Sequence, residues 1–138
     1  MTAESKSHEE VLRNTLDAYS AAIAIAARDP HRIASVFAPD GEIEDPVGSP
    51  VRHGREAVAG LFSAGVVALA SHVEVRVLAA LPSGNSIAAH WTMTARGTTG
   101  REVNAEGIDV LRVDSQGLIV RAEGYWNAAA FRQTLAAN

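Results

Sequence analysis

The rest of the chain is organised around the stretch Glu42-Ile43-Glu44-Asp45-Pro46-Val47-Gly48-Ser49. Side chains in a strand alternate between its two faces, so Asp45 shares its face with apolar neighbours. Glu42 and Glu44 fall on the other face, and the pattern predicts that both are solvated. Pro46 cannot donate a ladder hydrogen bond and ends the strand. The stretch therefore predicts one carboxylate that points inward at the end of a strand.

Two interpretations of Asp45 follow from this position. An inward carboxylate beside a turn that opens onto a cavity is a candidate general base. The alternative is an Asx-type turn, in which the Asp45 side chain accepts hydrogen bonds from backbone amides near Gly48. The stretch by itself favours the turn.

Composition restricts the class of protein. With 138 residues, 47% of them hydrophobic and 20% charged, the chain predicts a single globular domain over residues 1–138, frayed at about 1–6 and 133–138. A net charge of -4 without a basic patch argues against nucleic acid partners. No cysteine is present, which excludes disulfides and thiolate sites. A polar N-terminus and a longest apolar run of only Ala21–Ala27 predict a cytoplasmic protein with no membrane segment.

Helical periodicity dominates the first half of the chain. A capping box at Ser7 opens a helix predicted to reach Ala27, and Asp29-Pro30 opens a second, shorter helix through Phe37. Pro39-Asp40-Gly41 is predicted to be a turn. A third helix follows Gly54. The apolar stripe of the first helix consists of Leu12, Leu16, Tyr19 and Ile23.

After Ser71 the apolar pattern alternates in four successive runs separated by turn signals. One short and four longer strands with three helices predict an α+β domain, its helices covering one face of a sheet that curves around a pocket. Gly107 and Gly124 are expected sites of bending or close approach of a ligand. The inward sets are Val73, Val75, Val77 and Ala79; Ile87, Ala89, Trp91, Met93 and Ala95; Val103, Ala105, Gly107, Asp109, Leu111 and Val113; and Leu118, Val120, Ala122, Gly124 and Trp126.

Alternation thus places a second carboxyl, Asp109, on an apolar face. Desolvation disfavours the charged form of an acid, so Asp109 could stay neutral and donate a hydrogen bond, while Asp45 accepts a proton. With the Tyr19 phenol they would suit proton abstraction beside a carbonyl group. The alternatives are that Asp109 pairs with a buried Arg or His, and that Tyr19 and both tryptophans are ordinary core residues.

No metal site is predicted, because no two histidines have ligand spacing on one element. His90 falls on a polar strand face and is interpreted as a surface residue. His53 precedes Gly54 and is assigned to a loop.

Three segments resemble the Δ5-3-ketosteroid isomerases, which have the nuclear transport factor 2-like fold: residues 44–49, 54–58 and 108–114. The resemblance extends from about Tyr19 to about Trp126. It implies a cone of three N-terminal helices packed on a strongly curved, mixed, mainly antiparallel sheet that encloses an apolar pocket. It also implies a homodimer that needs no cofactor.

The resemblance further implies the residue roles. Asp45 would move a proton from C4 to C6 of a steroid, while Tyr19 and protonated Asp109 donate hydrogen bonds to the C3 oxygen. An ungapped match back from Asp45 would put Ala21 at the tyrosine position, but the helical stripe favours Tyr19. Phenylalanines replace the family's supporting tyrosines. The predicted substrate-binding residues are Trp126, Trp91, Phe62, Phe37, Val47, Met93 and Leu111.

Two further functions remain open at this point. A polyketide-cyclase-like or hydrolase enzyme of the same superfamily would use the two aspartates on another carbonyl compound or on water. A binding module would have kept the apolar pocket without the reaction. The predicted partner in each case is a small hydrophobic molecule.

Overall fold

The computed structural model describes residues 2–25 and 29–137 and contains five helices and six strands in that part of the chain. The helices cover one face of the sheet, as predicted, and none of those described is long and apolar enough to cross a membrane. The elements in chain order are α1 Thr2–Ile25, α2 Pro30–Ala34, β1 Phe37–Glu44, β2 Arg52–His53, α3 Arg55–Ala64, α4 Val66–Leu69, β3 Ala70–Ser83, β4 Ser86–Gly97, β5 Glu102–Val113, β6 Ile119–Tyr125 and α5 Ala128–Ala136.

The six strands form one curved sheet in the order β2-β1-β6-β5-β4-β3. Strand β1 runs parallel to β6, and all the other neighbours are antiparallel, which confirms the predicted mixed, mainly antiparallel sheet. The parallel pair brings the end of β1 beside the end of β6. This pairing positions Asp45 over the face of the sheet that the helices cover.

Helix α1 packs its apolar stripe on this face because Leu12, Leu16 and Tyr19 recur at helical spacing and are all buried. The predicted helix is thus confirmed as far as Ile25, and its last two residues lie outside the described part. Its N-terminal end, predicted to fray, is helical from Thr2.

The second predicted helix is shorter than expected. The Asp29 side chain caps it by accepting from the His31 N–H, yet α2 ends at Ala34. Phe37 already belongs to β1 and is fully buried, and the predicted turn at 39–41 lies inside this strand. The cause is Gly41: a Cβ there would stand 2.7 Å from the Ile119 carbonyl oxygen, so glycine allows β1 to pass close to β6.

Two strands depart from simple alternation. A register shift between β3 and β4 leaves Ala79 exposed and turns Ala80 toward the core. A register shift between β5 and β6 buries Ile119 in place of the predicted Leu118 and Val120. The later inward positions of β6 are as predicted.

Helices α4 and α5 are absent from the predicted fold. The side chain of Asn127 caps α5 by accepting from the Ala130 N–H, and Phe131 and Leu135 pack into the second cluster of the core. Residues 133–136, assigned to a frayed end, are therefore helical. This helix packs on strands β4 and β5.

Candidate active site

An ion-pair network holds β1 in register on β6. Arg121 donates to Glu42 and Glu44 over 2.5 and 2.9 Å and also binds Glu123. The hydrogen bond from Arg121 to Glu42 is the main reason that the pKa of its guanidinium is raised. Glu42 and Glu44 are therefore partners of Arg121 rather than the freely solvated acids predicted. The network fixes the strand end from which Asp45 projects.

The Asp45 carboxylate accepts a hydrogen bond from an indole N–H and not from the backbone of the turn. Trp126 Nε1 donates to Asp45 Oδ1 over 2.6 Å, while the Gly48 N–H is bonded by Glu44. This arrangement rules out the Asx-turn interpretation. Burial raises the pKa of Asp45 to about 6, and the hydrogen bond from Trp126 opposes that rise.

Asp45 lies directly over Gly124. A Cβ built on Gly124 would stand 2.8 Å from Asp45 Cγ, so the absence of a side chain makes room for the carboxylate. Gly124 is also the cross-strand partner of Asp109. The two carboxyls consequently share one part of the pocket. The group that approaches this glycine closely is therefore the Asp45 carboxylate of the protein itself.

Asp109 is 7% exposed and bonds a second indole. Trp91 Nε1 donates to its Oδ1 over 3.0 Å, and no Arg or His among the described residues binds it. Burial raises the pKa of Asp109 to about 8, with a further contribution from the charge of Asp45 and an opposing one from Trp91. The Oδ2 atom of Asp109 is therefore available to carry a proton and donate a hydrogen bond to a ligand.

The phenol of Tyr19 completes the group. Tyr19 is 2% exposed, and its hydroxyl has no hydrogen-bond partner in the described part of the chain. Its ring makes edge contacts with Phe37 and Phe62, with centroids 5.8 and 6.4 Å away. Burial, then the charges of Asp109 and Asp45, raise its pKa well above the usual value. Ala21 is exposed, so Tyr19 is the residue that lines the pocket.

Four of the seven predicted substrate-binding residues line the pocket: Trp126, Trp91, Phe62 and Met93. The other three predicted residues do not line it. Phe37 and Leu111 are fully buried in the main core, because the helices cover those positions, and Val47 is 38% exposed beyond the turn. Alternation predicts which face of the sheet a side chain occupies, but it does not predict whether a helix or the pocket lies over that side chain.

The pocket wall also contains residues that the sequence analysis missed. Phe131 and Arg132 come from α5, and Leu69 comes from α4. The Phe131 ring packs on Trp126 at 5.3 Å, and Trp126 packs on Trp91 at 5.5 Å. The Asn127 cap followed by apolar residues at 131 and 135 is the signal that could have predicted α5.

The histidines take no part in this site. His90 lies on the outer side of β4 and bonds Glu106 over 2.6 Å, as expected of a surface residue. His53 is in β2 rather than in a loop, and bonds Glu42 over 2.9 Å. Within the described residues, no cluster of three or more His, Cys, Asp or Glu could hold a metal ion.

The geometry is thus an apolar pocket with two carboxyls, each bonded by one tryptophan, and one unpartnered phenol. Residues 16–122 match the SnoaL-like domain. The chain belongs to the SnoaL-like family.

A curated relative of this SnoaL-like chain is the steroid Delta-isomerase of Nocardioides simplex, 31% identical over 106 residues, which are 75% of this chain and 80% of the relative. Two solved structures share the fold. The Delta 5-3-ketosteroid isomerase from Mycobacterium sp. has a TM-score of 0.73 at 22% identity, covering 87% of this chain and 95% of that one. A Mycobacterium tuberculosis protein in complex with estradiol-17beta-hemisuccinate has a TM-score of 0.72 at 24% identity, covering 86% and 95%. These likenesses confirm the predicted fold.

Proposed function

We propose that the protein isomerises 5-ene-3-ketosteroids to the conjugated 4-ene-3-ketones. The observation that carries the proposal is the buried Tyr19 hydroxyl, which has no partner in the described part of the chain and lines the same pocket as Asp45 and Asp109. A buried hydroxyl without a partner is costly, and an oxygen atom of a ligand would satisfy it. The steroid Delta-isomerase relative adds support from sequence.

The first step is removal of a proton from C4. Asp45 is mainly ionised at neutral pH because its pKa is about 6, and its carboxylate takes this proton. The electron pair of the C–H bond forms the C3–C4 double bond of a dienolate, and negative charge develops on the C3 oxygen. The Tyr19 hydroxyl and neutral Asp109 donate hydrogen bonds to that oxygen.

The second step returns the same proton to C6. Asp45, now protonated, gives it up, the dienolate electrons form the C4–C5 double bond, and the C3 carbonyl is restored. One proton leaves and one is added, so no redox partner or other reactant is needed. Asp109 can donate because its pKa of about 8 keeps it protonated at neutral pH.

The wall of the pocket suits a flat apolar substrate. Trp91 and Trp126 meet nearly edge to face at 70°, and aliphatic side chains form most of the remaining wall. Both indole N–H groups are occupied by the carboxyls, so the rings present apolar surface. The steroid complex of the M. tuberculosis protein supports the same class of ligand.

A binding module is the alternative from another class, since the same pocket could hold a hydrophobic molecule without reaction. A polyketide-cyclase-like or hydrolase activity would use the aspartates on a different carbonyl compound. We further infer a homodimer, supported by exposed apolar side chains on the outer face of the sheet.

The test follows the ultraviolet absorbance of the conjugated enone formed from a 5-ene-3-ketosteroid. Asp45→Asn removes the base and should lower kcat by about 10² to 10⁴-fold. Tyr19→Phe removes one donor to the oxyanion and should lower it by about 10² to 10³-fold. Steroid binding, read from the fluorescence of the chain's two tryptophans, should persist in both variants.

Matched controls are Asp17→Asn and Tyr125→Phe, which make the same chemical changes at exposed positions outside the pocket. Both controls should retain wild-type turnover. A wild-type protein that binds the steroid but forms no enone would overturn the isomerase and favour the binding module.

A further inference from the structure

We propose that Arg132 forms an anion subsite at the mouth of the pocket, so that the favoured ligands are ketosteroids with a carboxylate at the end remote from the reacting ketone. The orientation of the ligand rests on the proposed function. The binding preference itself does not require turnover, and the two can be tested separately.

Burial distinguishes the two ends of the pocket. Tyr19 and Asp109, at 2% and 7% exposure, are at its deep end, whereas Arg132 lines the same pocket and is exposed. Arg132 follows Phe131, whose ring packs on Trp126 and anchors this turn of α5. A ligand with its ketone at the deep end would therefore extend its far end toward Arg132.

The guanidinium of Arg132 lies close to Gly65. Arg132 Nη2 is 3.7 Å from the point where a Cβ of Gly65 would stand, and Gly65 also lines the pocket. Because Gly65 has no side chain, nothing from that residue stands between the guanidinium and a ligand. Planar guanidinium groups bind carboxylates with two parallel hydrogen bonds.

Arg132 also lacks a partner that would occupy it. Arg13, Arg96 and Arg121 each pair with a glutamate, but no hydrogen bond or ion pair joins Arg132 to any described residue. Among the described residues that line the pocket it is the one positive charge. The alternative role, a stem that covers apolar surface while the charge stays in water, predicts no preference for an acidic ligand.

The charges of the site would also orient such a ligand. Asp45 carries a negative charge in the interior and repels a carboxylate, while Arg132 attracts one at the mouth. Both effects place the ketone inward. The chemical class inferred is an amphipathic steroid acid, with a carbonyl group at one end and a carboxylate at the other.

The test compares two 3-ketosteroids that differ only at the end of the side chain, one a carboxylate and the other its primary amide. Their Kd values are measured from quenching of tryptophan fluorescence. The wild type should bind the acid about fivefold more tightly, as for a partly exposed ion pair. This preference should weaken at high salt.

The preference should disappear in Arg132→Gln and persist in part in Arg132→Lys, which keeps the charge but loses the planar fork. The matched control is Arg112→Gln, which makes the same change in charge at an exposed residue of β5 outside the pocket, and it should keep the full preference. Unchanged binding of the amide by Arg132→Gln shows that its pocket is intact.

Equal binding of acid and amide by the wild type, or a preference that survives in Arg132→Gln, overturns the subsite. An Arg132-dependent preference without enone formation supports the subsite and overturns the isomerase. Enone formation without the preference supports the isomerase and overturns the subsite. If neither steroid binds, both proposals fail.

Discussion

Each of the two buried carboxyls has one tryptophan N–H as its hydrogen-bond donor, and their roles are separated by the electrostatic effect of Asp45 on Asp109. Burial raises the pKa of Asp45 to about 6, and that of Asp109 to about 8 because the Asp45 charge adds to burial. Between these values Asp45 is mainly ionised and Asp109 mainly neutral. An ionised base and a neutral acid are what the proposed isomerisation requires.

The pH dependence of kcat/KM should therefore be bell-shaped, with an acid limb set by Asp45 and an alkaline limb set by Asp109. An N–H donor favours the ionised carboxylate, so its removal raises the pKa. Trp126→Phe should move the acid limb to higher pH by about one unit, because the raised pKa of Asp45 means that the base ionises only at a higher pH. Trp91→Phe should move the alkaline limb to higher pH by a similar amount, because the raised pKa of Asp109 keeps this acid neutral up to a higher pH.

Enone formation measured from pH 4 to pH 10 checks both shifts, and each variant is the control for the other. Limbs that stay in place, or a Trp126→Phe variant that moves the alkaline limb alone, would contradict this assignment of the two carboxyls.

At the scale of elements, the parallel pairing of β1 with β6 determines where the base stands. Arg121 holds the two strands in register through Glu42 and Glu44, and Gly124 provides the space over which Asp45 lies. The turn after β1 also bonds to β6, from the Val47 N–H to the Gly124 carbonyl over 2.8 Å. The base is thus positioned by backbone pairing and by a missing side chain.

Gly124→Ala should displace the Asp45 carboxylate, since the new Cβ would stand 2.8 Å from Asp45 Cγ. A displacement of about 1 Å in a reacting group costs about a hundredfold in rate, so kcat should fall by one to two orders of magnitude. The control is Gly60→Ala in α3, where the new Cβ meets nothing within 4 Å.

The control variant should keep full activity and gain about 1 kcal/mol of stability from helix propensity. Turnover and thermal unfolding of both variants are the measurements. Wild-type kcat in Gly124→Ala would show that Asp45 tolerates the displacement.

At the scale of the whole molecule, the outer face of the sheet bears apolar side chains that the helices do not cover. Ile108 and Tyr125 are cross-strand partners and are 48% and 47% exposed, and Leu81 on β3 is 75% exposed. Exposed apolar groups on a sheet face are typical of an interaction surface. The inferred homodimer would use this face.

Ile108→Glu should therefore convert a dimer into a monomer, because a charge buried without a partner in the interface is costly, whereas in the monomer it stays in water. Sedimentation velocity should give twice the chain mass for the wild type and a single chain mass for the variant. Gln133→Glu, at an exposed position of α5, is the control and should remain dimeric. A wild type of single chain mass would contradict the dimer.

The sequence by itself determined which faces most residues occupy. Period-two alternation put Asp45 and Asp109 on the apolar face, and the helical stripe put Tyr19 on the buried side of α1, because these periodicities are local properties of strands and helices. The α+β class followed for the same reason. The resemblance to the ketosteroid isomerases connected the three residues to one reaction.

Only the tertiary structure decided which groups meet. The hydrogen bonds from Trp91 to Asp109 and from Trp126 to Asp45 join residues 18 and 81 positions apart. Their formation depends on strand register, which irregularities in three of the pairings shift, and on the parallel contact of β1 with β6. The position of α5, which brings Arg132 to the pocket, is likewise set by long-range packing. Local periodicity fixes the direction of a side chain, but the distance between two side chains depends on the whole path of the chain between them.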